Sequence, residues 1–131
     1  MTSKFVGSPV RLFVGGRSYR SRQDVAAGAL MVSDDGRTFR RVLDQPFVHD
    51  VIRSPQSART LYAAASATYV RGQGQRPGIY RSTDNGSTWE LVVEDLPHTF
   101  LHSLAFLPTA PERLLLGTNG AGIVSVLLPE L

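Results

Sequence analysis

Ser82-Thr83-Asp84-Asn85-Gly86-Ser87-Thr88-Trp89 is the stretch whose reading decides the fold. An aspartate in this setting can accept backbone N–H groups inside a tight turn, and Gly86 can supply the positive φ that such a turn requires. Trp89 then opens a β-rich run and offers a large apolar anchor. The pattern predicts a hairpin whose turn is held by Asp84 and whose exit strand is pinned by Trp89. Asp34-Asp35-Gly36-Arg37-Thr38-Phe39 repeats the turn, with Asp34 matched to Asp84, Gly36 to Gly86, Thr38 to Thr88 and Phe39 to Trp89. The leads G-A-L-M-V-S and G-I-Y-R-S-T also match, with Val32 where Ser82 stands. A repeat of roughly 50 residues is the period of a solenoid or a propeller.

Outward from the turns, the chain divides into three copies of one strand plan. First strands are read in residues 1–9 (ending Phe5-Val6-Gly7-Ser8-Pro9), in F-V-H-D-V-I-R-S-P at 47–55 and in F-L-H-S-L-A-F-L-P at 100–108. Pro9, Pro55 and Pro108 close them, because proline cannot donate to a strand ladder. Second strands follow at 10–16, 59–65 and 113–118, and are apolar almost throughout, as strands covered on both faces are. Third strands run from Gly28 to Ser33, Gly78 to Ser82 and Gly122 to Val126. Fourth strands follow the two aspartate turns. In the second copy Trp89, Leu91 and Val93 alternate with Glu90, Val92 and Glu94, which predicts one buried face and one charged face on an outer edge strand.

S-T-D-N-G-S-T-W resembles a full Asp-box, the signature of the sialidase-type BNR repeat, and V-S-D-D-G-R-T-F resembles a slightly degenerate copy. That repeat occurs in sialidases, xyloglucanases, sortilin-like receptors and photosystem II assembly factors, so the resemblance implies a β-propeller. It also implies structural roles, away from any active site, for Asp34, Gly36, Thr38, Phe39, Ser82, Asp84, Gly86, Thr88 and Trp89. The expected fold is all-β: about three four-stranded antiparallel propeller blades, the last incomplete, in one partial domain over 1–131. The blades are placed at 1–45, 46–97 and 98–131. The third copy has no aspartate turn and ends L-L-P-E-L, as a final blade does when a strand from the other end of the chain completes it. The amino terminus reads as cut, starting inside or just before a first strand.

A propeller of ~4–8 blades at ~40–50 residues each needs about twice the 131 residues present. The partners expected are therefore the missing blades of a larger propeller, or a second copy of this chain. Apolar residues make up 42% of the chain, which excludes disorder, and the absence of cysteine excludes disulfides and thiolate metal sites. The formal net charge of +3 is scattered over arginines, with Lys4 the only lysine, and no basic block points to nucleic acid. The start lacks a signal-peptide core and no apolar run reaches the ~18 residues of a membrane span. This gives a cytoplasmic default, with a secreted parent protein as the alternative. No cofactor is implied.

Candidate ligand-binding residues fall in two places. The loops after the second strands hold Arg17, Tyr19, Arg20, Tyr69, Arg71 and Arg76. Arginine forks suit carboxylate or phosphate and tyrosine faces suit sugars, so this rim reads either as an acidic or carbohydrate ligand site or as solvated loops. In a propeller the first strands line the central channel, where His49 and His102 share one repeat position and precede Asp50 and Ser103. They read as channel ligands or as packing residues. No metal site is assigned, because a third ligand is not evident by spacing.

Glycoside hydrolysis requires two carboxylates about one bond. Asp34 and Asp84 serve turns, while Glu90, Glu94 and Asp95 lie on or after an outer strand, which leaves Asp50 near the channel. Xyloglucanase relatives often show Asp in the loop before the third strand, where this chain has T-N-G-A-G with Asn119. The sialidase arginine triad and Tyr–Glu pair cannot be placed. No nucleophile elbow or phosphate-cradling glycine motif is present either. The function expected is a non-catalytic binding or scaffold module for carbohydrate or protein. The alternative is part of a glycoside hydrolase, sialidase-like or xyloglucanase-like. If the arginine rim binds acidic glycans, Arg71→Ala with Arg76→Ala weakens retention on an acidic-glycan column, and unchanged retention removes that reading.

Overall fold

The computed structural model describes residues 11–15, 29–45, 47–66, 76–94, 96 and 101–130. The strands are β1 (Leu12–Gly15), β2 (Leu30–Ser33), β3 (Arg40–Leu43), β4 (Val48–Arg53) and β5 (Leu61–Ala65). They continue with β6 (Gly78–Ser82), β7 (Glu90–Val93), β8 (Leu101–Leu107), β9 (Ala110–Thr118) and β10 (Ile123–Leu127). No helix occurs among the described residues, and so none that is long and apolar enough to cross a membrane. Three antiparallel sheets result, in the orders β1-β2-β3, β4-β5-β6-β7 and β10-β9-β8. Each is a meander of sequential strands, the topology that short polar turns permit. The strand expected at Phe5–Pro9 lies outside the described residues, as do Arg17, Tyr19, Arg20, Tyr69 and Arg71.

The second sheet lies between the other two. On one face Val48, Ala63, Ala65 and Tyr80 pack with Leu30 and, from the half-buried ring of neighbours, Phe13, Val42 and Leu43 of the first sheet. On the other, Tyr62, Ala64 and Ile79 pack with Leu101, Leu104, Leu114 and Leu116 of the third. The period of two in a strand assigns Ala63 and Ala65 to one face and Ala64 to the other. The strands β5 and β6 are buried along their whole length, as the near-continuous apolar sequence of β5 predicts, while β6 buries Arg81 and Ser82 as well. Close approach is built in at Gly15, where an added Cβ would collide with the Val48 carbonyl oxygen of the second sheet.

The fourth strand departs from the expected alternation. Ile79 pairs with Val93 and Tyr80 with Leu91, so Val92 is the extra residue of a β-bulge. The bulge leaves Trp89 and Leu91 on the face toward the first sheet and turns Val92 and Val93 toward the third. Val93 therefore does not share a face with Leu91. In the first sheet Leu30 pairs with Leu43 and Met31 with Arg41, so Val42 is bulged at the matching place.

The third sheet covers the second with Val124 and Val126, and the alternate residues Ile123 and Leu127 are 76% and 60% exposed. Leu114 is fully buried in the contact between the second and third sheets. Truncating it leaves a cavity that two packed sheets cannot collapse to fill, so Leu114→Ala is expected to cost about 2–5 kcal/mol in a denaturant titration. A loss under about 1 kcal/mol would show that the sheets are not packed as a unit.

Candidate functional site

The two aspartate turns are built alike, with one residue fewer in the first. In the second turn the Ser82 hydroxyl oxygen accepts from the Gly86 N–H at 2.7 Å. One Asp84 oxygen accepts from the Thr88 N–H at 2.9 Å and the other from the Thr88 hydroxyl at 2.5 Å. Asn85 and Gly86 take φ of 60° and 91°, which closes the loop and suits asparagine and glycine. The Trp89 indole N–H then donates to the Gly86 carbonyl at 2.9 Å. In the first turn the Ser33 hydroxyl accepts from the Gly36 N–H at 2.8 Å, and Asp35 accepts from the N–H groups of Arg37 at 2.8 Å and Thr38 at 2.7 Å.

Asp35, not Asp34, is therefore the counterpart of Asp84, and Ser33, not Val32, that of Ser82. The glycine–threonine–aromatic end of the motif fixed the match in sequence, but the first turn lacks an equivalent of Asn85, and the carboxylate moves by one. Asp34 instead forms a forked pair with Arg11, with Nε at 2.7 Å and Nη2 at 3.1 Å. Arg11 also reaches the second turn, donating to the Asn85 carbonyl at 3.2 Å and the Ser87 hydroxyl at 3.0 Å. Arg53 donates to the Asn85 side chain at 3.0 Å. Arg11 thus ties the turns of neighbouring sheets, Arg53 braces the second turn from within its own sheet, and the Phe13 and Trp89 rings meet edge to face at 6.4 Å beneath them.

Beside this rim is a cleft of about 450 Å³, lined by Arg11, Phe13, His49, Asp50, Val51 and Arg53 among others. Its cationic residues suit an anionic or polar ligand. Among the described residues its one carboxylate, Asp50, is already engaged: one oxygen accepts from its neighbour Val51 N–H at 2.9 Å, the other from the Leu104 N–H at 2.8 Å. The second of these bonds joins β4 to β8 across two sheets. The Ser66 hydroxyl oxygen makes a parallel link, accepting from the Leu101 N–H at 3.0 Å.

His49 and His102 do come together, with ring centroids 5.5 Å apart and planes tilted by 51°. The Phe47 ring stacks on His49 at 6.5 Å. Ser103 is exposed on β8 next to His102. Arg76 pairs with Glu94 at 3.5 Å, and its backbone N–H donates to the Gln45 side chain at 2.7 Å. Asn119 lies exposed between β9 and β10. Among the described residues, no group of three or more His, Cys, Asp or Glu side chains is placed to hold a metal.

Sequence reading missed Arg11, Arg53 and Ser66, whose partners are distant in the chain and give no local signal. It also missed Arg81, nine-tenths buried on β6, which donates to the Pro129 carbonyl at 3.0 Å and pairs with Glu90 at 3.4 Å.

The carboxyl of Asp84 is held down at about 2 by the Thr88 hydroxyl and then the Thr88 N–H. That of Asp35 is held at about 2 by the N–H groups of Thr38 and Arg37. The Arg11 fork lowers Asp34. A carboxylate whose folded pKa lies below the unfolded value of about 3.9 stabilises the fold above that value, and the contribution fades as pH falls toward 2. Asp84→Ala is expected to cost about 1 kcal/mol near pH 7, the low end for a hydrogen-bonded carboxylate because water reaches it. The gap from the parent chain closes between about pH 4 and 2. Asp35→Ala destabilises in the same window, and Asp34→Ala, which removes a pair and no turn bond, does less. Denaturant titrations across that range check the order.

Compared with known proteins, the chain is 32% identical over 104 residues to a probable oligoxyloglucan-reducing end-specific xyloglucanase from Neosartorya fischeri. The match takes in 74% of this chain and 12% of that protein. No protein-family model matches the chain, and no solved structure does. This similarity and the all-β layout together relate the chain to one short stretch of a far longer glycoside hydrolase.

Proposed function

We propose that this chain is a run of Asp-box propeller blades of the xyloglucanase kind, serving as a non-catalytic wall that binds or supports a carbohydrate ligand. The sheets serve as blades at 1–45, 46–97 and 98–131, with further blades or a second copy completing the ring. Support comes from the serial stacking of three antiparallel meanders, from the paired aspartate turns, and from the similarity to a xyloglucanase.

The observation that carries the non-catalytic reading is the state of Asp50. It is the cleft's one carboxylate among the described residues, and both its oxygens hold backbone N–H groups. Acid–base cleavage of a glycoside needs two carboxyl groups facing one bond. Of the other described acids, Asp34, Asp44, Glu90 and Glu94 pair with arginines, Asp35 and Asp84 close turns, and Glu112 and Glu130 are exposed on β9 and past β10, outside the cleft lining. The similarity favours a second reading, in which the chain forms one side of a hydrolase site whose acids lie on other blades.

The carbohydrate assignment common to both readings is tested on the chain alone with reducing-end-labelled xyloglucan oligosaccharides. The expected result is binding in calorimetry without release of labelled product on long incubation. Product release would replace the first reading with an enzyme complete in these 131 residues. Absence of binding would remove the carbohydrate assignment and leave the scaffold.

A further inference from the structure

His49 and His102 owe their meeting to a device that repeats between sheets. In the second sheet Val48 pairs with Ala65 and Asp50 with Ala64, which leaves His49 as the extra residue of a bulge. In the third, Leu101 pairs with Thr118 and Ser103 with Gly117, which leaves His102 as the extra residue at the matching place. A bulge re-aims its side chain away from the regular pleat, and bulges concentrate beside functional sites. The strands β4 and β8 each pair on one side only within their sheets, so each bulge lies on a terminal strand. Two bulged strands in neighbouring sheets thus present the same side chain to the same place, and both imidazoles are exposed there.

We propose that His49 and His102 form a two-imidazole site for a divalent transition ion of the zinc class. With Zn–N near 2.0–2.1 Å and a tetrahedral angle, two imidazoles bound to one ion have ring centroids about 5 Å apart. The observed separation is 5.5 Å. The backbone at both positions is fixed without the ion: Asp50 accepts from the Leu104 N–H at 2.8 Å and Ser66 from the Leu101 N–H at 3.0 Å. Phe47 stacked on His49 limits that ring's rotation. The ligands are thereby preorganised, which lowers the ordering cost of capturing an ion.

The donor set decides which ion. Imidazole nitrogens suit zinc, copper and nickel, whereas magnesium and calcium want oxygen. Asp50 is held by two backbone N–H groups, so water or an incoming ligand takes the remaining coordination positions. Such an open ion can accept an oxygen or nitrogen donor from a bound molecule.

The test follows the imidazole nitrogen signals of the full ¹⁵N-labelled chain by NMR as zinc chloride is added. The chain has three histidines. The expected result is that two of them move together and saturate near one equivalent of zinc, while magnesium chloride moves none. His49→Gln and His102→Gln each lower zinc affinity at least tenfold by equilibrium dialysis, and His98→Gln leaves it unchanged. Independent movement of the signals, involvement of His98, or no movement at millimolar zinc overturns the site. The parent-chain spectra decide the matter even if a variant does not fold.

Discussion

The covering of the second sheet on both faces is the constraint from which the rest of the structure follows. Its strands β5 and β6 are buried throughout, and their side chains divide between two partners by pleat alone. Ala63 and Ala65 meet the first sheet, and Tyr62 and Ala64 meet the third. Three successive alanines keep both neighbours close, while Tyr62, Ile79 and Tyr80 supply the bulk. A register slip of one residue would exchange the faces and place each side chain against the wrong sheet. The first and third sheets thus share the second as their common support, and the fold depends on a serial chain of sheet contacts, as in repeat proteins.

Polar groups fix the same stack at both ends. At the turn rim, Arg11 joins Asp34 of the first turn to the backbone of the second. Its side chain is 19% exposed but that of Asp34 is 53% exposed, so water screens the pair and its forked geometry is what sets it apart from an ordinary surface ion pair. On the inner strands, Asp50 and Ser66 each spend a side-chain oxygen on a backbone N–H of the third sheet. Those N–H groups belong to a terminal strand and have no ladder partner on that side. The carboxylate that sequence reading left nearest to chemistry is thus the group that satisfies a strand edge. A buried edge donor left unpaired costs more than the pairing gains, which gives Asp50 a structural reason to be acidic that is independent of catalysis.

The strand plan was legible because it rests on local signals. Proline ended the first strands, apolar runs marked the buried second strands, and the aspartate turns separated third from fourth strands. Ten of the eleven anticipated strands fall on described elements because each signal acts within a few residues. The eleventh, at Phe5–Pro9, lies outside the described residues. What sequence concealed depends on register. The one-residue shortening of the first turn shifted the serving carboxylate from Asp34 to Asp35, since two adjacent aspartates offer no local means of choosing between them. Val93 was placed on the wrong face because alternation cannot reveal a bulge at Val92. Arg11 escaped notice because its partners are set by how sheets meet, and Arg53 because Asn85 reaches it only once its own sheet is assembled.

Bulges also explain how this chain combines a repetitive scaffold with a local arrangement that is not merely repetitive. In a regular strand, a residue between Val48 and Asp50 would follow the pleat and stay opposite a partner on β5. The extra residue breaks that rule at one position, so His49 leaves the pleat while the core residues on either side keep their pairing. Because the third sheet carries the same interruption at His102, stacking two copies of one unit brings two imidazoles together. Function in a stacked architecture need not come from the long loops alone. A matched irregularity on neighbouring strands, held by backbone links such as Asp50 to Leu104, places side chains more rigidly than a loop can.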